Sequence, residues 1–138
     1  MDIAKIHKEI PEVAWSVGST AVIEEVYAPD YVFSGPLNPE VHGVAGELAM
    51  IASYLEAFPD LRFTVHEQLV DGDSVASRWS AVGTHLGDLA GIPATGRTGD
   101  AVGGVSIARF AGGKLQSVWT MWDVHGLLTQ LGVVPAAA

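Results

Sequence analysis

The chain has 138 residues, 49% hydrophobic and 17% charged, with no cysteine and a formal charge of −9. That excludes intrinsic disorder, disulfide scaffolds, thiolate metal sites and a cysteine nucleophile. The excess of 16 acidic over 7 basic residues argues against nucleic acid and anionic membranes as partners, because both need clustered Lys and Arg. One domain spanning residues 1–138 is expected at this length. Asp2, Lys5, Lys8 and Glu9 interrupt the first ten residues, so no signal-peptide core is read there and a cytoplasmic location is expected.

Ile3, Ile6, Ile10, Val13 and Val17 recur at helical spacing. Pro11 sits inside this pattern, so it either breaks the helix or opens a second piece. Gly18 stops the segment, and Ser19 is the expected N-cap of a helix reaching about Tyr27. Tyr31-Val32-Phe33 is a short strand, and Ser34 to Gly43 reads as a loop with two prolines. Gly43 to Phe58 is the clearest helix: Val44, Leu48, Ile51, Leu55 and Phe58 form one stripe, with Glu47 and Glu56 off it.

The period then changes to two. Arg62 to Val70 and Val75 to Gly83 flank the turn Asp71-Gly72-Asp73, which is a hairpin signature. A long loop, Gly87 to Gly99, leads to strands at Ala101 to Phe110 and Leu115 to Val124, joined by Gly112-Gly113. Gly126 to Leu131 closes the chain as a short helix or turn. Helices followed by long antiparallel strands make an α+β fold. A bent antiparallel sheet wrapped around a helix encloses a pocket, and Gly83, Gly103 and Gly104 suit bends or bulges in it.

Strand parity selects the candidate chemistry. Ser117, Trp119, Met121 and Asp123 share one face of the last strand, and the large apolar Trp119 and Met121 assign that face to the interior. Asp123 then ends an apolar wall, where desolvation raises a carboxyl pKa toward what a general acid/base needs. The competing reading makes Asp123 the N-cap of the next helix. Arg78 lies mid-strand; it either faces the cavity as an anchor for charge or lies outward over a neighbouring strand. His85 ends the same strand, either at the cavity mouth or as a loop residue. Trp15, Phe33, Tyr54, Trp119 and Met121, with Ser80 beside Arg78, complete the candidate substrate-binding set. No histidine pair has the helical spacing of a zinc site, so no metal is expected. No phosphate-cradling glycine loop or nucleophile elbow occurs.

Taken in order, several runs resemble the SnoaL-like polyketide cyclase (ester cyclase) family over about residues 12–132. They are Ala57-Phe58-Pro59-Asp60-Leu61, Asp71-Gly72-Asp73, Arg78-Trp79, Gly83-Thr84-His85-Leu86-Gly87, Gly91-Ile92-Pro93-Ala94-Thr95-Gly96-Arg97, Gly112-Gly113-Lys114-Leu115, Trp119-Thr120-Met121-Trp122-Asp123 and Gly126-Leu127-Leu128-Thr129-Gln130-Leu131-Gly132. The resemblance implies an NTF2-like cone: a curved antiparallel sheet around a long helix with a deep apolar cavity. It also implies cofactor-free aldol-type ring closure of a small apolar, oxygenated, polyketide-like substrate. The aspartate that serves such enzymes as acid/base falls on Asp123, and members of this fold often pair through the outer sheet face, where Trp122 and Val118 are expected to lie, so a homodimer or higher homo-oligomer is expected. Where family members often carry a histidine after the early strand, this chain has Phe33-Ser34-Gly35-Pro36.

Other readings use the same fold. Epoxide hydrolases of the limonene type carry an Arg-x-Asp pair where this chain has Arg78-Trp79-Ser80. Ketosteroid-isomerase-like proton transfer needs one aspartate base. A non-catalytic binding protein for a hydrophobic ligand, or a dimerisation domain, needs none of this chemistry.

Overall fold

The computed structural model describes residues 1–135, apart from the side chain of Val17. The place of Val17 on the first helical stripe therefore lies outside the described residues. Helix α1 (Ile3–Glu9) starts at Asp2, whose carboxylate accepts from the Lys5 N–H at 3.0 Å. Pro11 does not end the helical run; the backbone widens into a π-helical turn over Ile10–Ala14 and continues as α2 (Trp15–Val17). Proline donates no backbone hydrogen bond, and a widened turn absorbs that loss. The Ser16 hydroxyl donates to the Pro11 carbonyl at 2.9 Å. Gly18 stops the run at φ 74°, a left-handed conformation that favours glycine. Helix α3 (Ala21–Val26) follows, entered at Thr20 rather than at Ser19.

Six strands form one mixed sheet in the order β2-β1-β6-β5-β4-β3. They are β1 (Tyr27–Gly35), β2 (Asn38–His42), β3 (Arg62–Asp71), β4 (Ser74–Thr84), β5 (Thr98–Ala111) and β6 (Lys114–Trp122). The expected four-stranded antiparallel sheet is thereby enlarged. The stretch read as a proline loop holds β2, and β1 runs parallel to β6. Pro39 is tolerated because β2 is an edge strand, where a missing N–H breaks no ladder. The opposite edge, β3, is covered: Glu12 accepts from the Val65 N–H at 2.8 Å and Ser16 from the Phe63 N–H at 3.1 Å. Edge strands left bare invite aggregation.

Helix α4 (Gly43–Ala57) follows its apolar stripe and packs on β1 and β2, burying Met50 and Ile51. Each such side chain contributes about 1.5–3 kcal/mol. Asp123 caps α5 (Val124–Gln130), which packs on β5. Two apolar clusters result. One joins Ile10, Ile23, Tyr31, Ile51, Phe110 and Leu115. The other joins Phe58, Leu61, Leu89, Val102, Leu127 and Leu131. Among the described residues, no helix is long and apolar enough to cross a membrane.

The strand glycines have separate tasks. A bulge on β5 sets Asp100 and Ala101 against the single residue Val82, between the pairs Ala81–Val102 and Gly83–Gly99. Gly104 marks no bulge; it lets the Trp79 ring cross β5, and a Cβ there would overlap that ring. Gly104→Ala is expected to lower stability by about 1–3 kcal/mol through overpacking. Denaturant unfolding checks this, and an unchanged midpoint would show that the ring is free to move aside.

Candidate active site

The concave sheet face and the helices over it enclose a cavity walled by residues of both apolar clusters. It offers about 130 Å³ to a water-sized sphere, roughly ten times the room one water needs. This is a binding volume rather than a packing defect. Trp15, Phe33 and Tyr54 line it, together with Tyr27, Tyr31 and Trp79. The Tyr54 hydroxyl donates to Asn38 Oδ1 at 2.9 Å, tying α4 to β2.

Three polar groups interrupt this aromatic wall. The first is Glu47 on α4, only 2% exposed. The Tyr31 hydroxyl donates to its Oε1 at 3.1 Å, and the Tyr27 hydroxyl lies 3.4 Å from Oε2. Burial pushes the Glu47 pKa up to about 7, against hydrogen bonding from Tyr31, Trp15 and Tyr27, which favours the charged form. Burial also holds both phenols above their ordinary range, so they act as donors rather than phenolates. A carboxyl that exchanges its proton near neutrality inside an apolar cavity has the property a general acid/base requires.

The second group is His7 on α1, whose Nδ1 lies 2.9 Å from the Ser77 hydroxyl of β4. Burial lowers the His7 pKa to about 4, so the ring is neutral near pH 7. The third is a hydroxyl chain: Trp79 Nε1 donates to Ser106 Oγ at 3.0 Å, and Ser106 Oγ lies 2.8 Å from Thr120 Oγ1. Among the described residues, no group of three His, Asp or Glu side chains has metal-binding geometry.

The residues singled out from strand parity fall elsewhere. Val118, Thr120 and Trp122 line the cavity, whereas Trp119 and Met121 are 46% and 52% exposed on the convex face. Both faces of β6 carry large apolar side chains, so alternation alone gave no preference between them. Pairing fixes the facing instead: Thr120 sits opposite Ser106, and their hydroxyls satisfy one another indoors. Asp123 is accordingly exposed, off the inner wall, and its Oδ1 accepts from the Gly126 N–H at 2.8 Å. That is the capping alternative. Arg78 is also outward, its Nε donating to Glu67 Oε1 at 3.2 Å. Ser80 lies on the same convex face, 2.7 Å from His66 Nε2. The segment on which the epoxide-hydrolase reading depends therefore points both polar side chains away from the cavity.

His85 is fully buried but does not line the cavity. It stacks on Phe58 with ring centroids 5.4 Å apart, and its Nδ1 accepts from the Thr95 N–H at 3.2 Å. Its backbone bonds Arg97 and Gly96. Four groups of one residue thus fold the β4–β5 loop back onto the second apolar cluster.

Glu47 and His7 were absent from the sequence-derived site, yet spacing held a signal for each. Glu47 is three residues after Val44 and four before Ile51; His7 is four after Ile3 and three before Ile10. Both positions are buried, so Glu47 lies on the inner face of α4 and not off the stripe as expected.

Known proteins share this architecture. The sequence profile of the SnoaL-like polyketide cyclases matches residues 7–131. The chain belongs to the SnoaL-like polyketide cyclase family. Aklanonic acid methyl ester cyclase DauD of Streptomyces sp. (strain C5) is 29% identical over 126 residues, covering 86% of this chain and 75% of DauD. The structure of IdmH from Streptomyces antibioticus superposes with a TM-score of 0.81 at 27% identity, covering 96% of this chain and 99% of IdmH. TsrD from Streptomyces laurentii gives 0.83 at 26% identity, covering 96% of each chain. The curved sheet with its helices is the NTF2-like cone of the SnoaL-like cyclases.

Proposed function

We propose that the cavity binds a small apolar, oxygenated, polyketide-like substrate and closes a ring in it by proton transfer at carbon, with Glu47 as the acid/base. One observation carries this reading: a carboxyl in an aromatic cavity, held by two phenolic donors and poised to exchange its proton near neutrality. The Glu47 carboxylate takes a proton from a carbon next to a carbonyl. The electron pair of that C–H bond moves onto the carbonyl oxygen as an enolate. The enolate carbon attacks a second carbonyl carbon of the same molecule, and that C=O becomes an alkoxide. Glu47 returns its proton to the alkoxide. Atoms and charge balance, and the sequence needs no cofactor.

Apolar walls strengthen this chemistry, because charge developing in a low-dielectric site interacts strongly with the fixed hydroxyls around it. Asp123, which the family motif marks, is exposed, and its Oδ1 accepts from the Gly126 N–H at the start of α5. The proposal therefore moves the acid/base role from β6 to α4. Pairing of two copies belongs to the same proposal. Trp119, Met121 and Val105 make the convex face apolar enough to be covered, and mass determination in solution tests it.

Aklanonic acid methyl ester is the compound to try first, given the relative that cyclises it. Formation of the ring-closed isomer, of unchanged mass, is the expected result. Absence of both ring closure and solvent-deuterium uptake at its acidic carbon would overturn the assignment of this substrate class.

A further inference from the structure

An enolate needs a partner for its oxygen, and the wall of the cavity holds an N–H with none. Gln68 Nε2 donates to the Ala4 carbonyl at 2.8 Å and to Ser77 Oγ at 3.0 Å. The carbonyl only accepts, so the Gln68 amide orientation is fixed and both its protons are used. Ser77 Oγ therefore accepts from Gln68, and among the described residues His7 Nδ1, 2.9 Å away, is the acceptor within reach of its own proton. A neutral imidazole whose Nδ1 accepts carries its proton on Nε2. His7 is 3% exposed and lines the cavity, and among the described residues its Nε2 has no hydrogen-bond partner.

We propose that His7 is a catalytic residue that donates its Nε2–H to the substrate carbonyl oxygen as that oxygen becomes an enolate. Ser77 and Gln68 are positioning residues that set its tautomer. His7 transfers no proton; it stabilises the charge that Glu47 generates. A neutral donor suits this task, since it polarises a carbonyl without giving up its proton. The low pKa that burial imposes keeps the ring in that form. The inference rests on the carbonyl substrate and the Glu47 base proposed above.

Two readouts test it without turnover, so they stand apart from the test of ring closure. In the full-length protein, isotope-edited NMR of the imidazole nitrogens is expected to show His7 neutral and protonated on Nε2 between about pH 5.5 and about pH 8. A ring protonated on Nδ1, or charged in that range, overturns the proposal. Infrared spectra of bound acetophenone are expected to show a carbonyl stretch at lower frequency in wild type than in His7→Phe. His7→Gln, which keeps a donor, is expected to restore part of that shift, and Glu47→Gln to retain it. An identical stretch in wild type and His7→Phe, or no binding of acetophenone to the wild type, counts against the donor. Loss of ring closure in Glu47→Gln with the infrared shift intact supports both assignments separately.

Discussion

Glu47→Gln is expected to slow ring closure by about 10²–10⁴-fold, the usual contribution of a positioned acid/base, while substrate affinity changes little. The amide matches the carboxyl in shape, and its single oxygen still accepts from one of the two phenols that bond Oε1 and Oε2 of the carboxyl, while its NH2 donates to the other. It has no proton that exchanges near neutrality. The loss therefore falls on the chemical step, and comparison of kcat with a directly titrated Kd shows where it falls. A variant that turns over at the wild-type rate would place the base elsewhere.

The second expectation concerns stability. The Glu47 pKa is raised from 4.5 to about 7 by burial, so the folded state prefers the protonated form. The stability this group contributes is complete below about pH 4.5 and is lost as pH rises through about 7. A rise of that size corresponds to about 3 kcal/mol. Wild type should thus lose about 3 kcal/mol relative to Glu47→Gln between pH 4 and pH 8, with little further change above. His7 acts in the opposite sense: its pKa is lowered from 6.5 to about 4, and its contribution is lost on acidification from about pH 6.5. Both proteins carry His7, so its effect cancels in their difference. Urea unfolding of the pair across this range is the check. Parallel pH curves would mean that the carboxyl is solvated.

Much of this fold was legible from sequence because its elements obey strong local rules. The stripe from Val44 to Phe58 gives α4, Asp71-Gly72-Asp73 gives the β3–β4 hairpin, and Gly112-Gly113 gives the β5–β6 hairpin. What stayed hidden depends on distant pairing. Asn38 to His42 becomes a strand only because β1 offers it an edge, and no local signal outweighs its proline. The period-two alternation of Arg62 to Val70 is interrupted by a bulge between Val65 and Glu67, which leaves Leu69 68% exposed. The site was less legible than the fold. Asp123 drew attention through an alternation that β6 does not possess. Glu47 was passed over because a glutamate beside an apolar stripe ordinarily faces water, and only Tyr27 and Tyr31, arriving from β1, make its burial tolerable.

The central claim is that proton transfer at carbon occurs inside the cone and is carried by α4. Solvent-deuterium uptake at the acidic carbon of aklanonic acid methyl ester, in wild type, Glu47→Gln and Asp123→Asn, tests it most directly. Uptake that is catalysed by wild type and by Asp123→Asn but lost in Glu47→Gln is the predicted result. Uptake retained in Glu47→Gln and lost in a folded Asp123→Asn would contradict it, and would return the acid/base role to the end of β6.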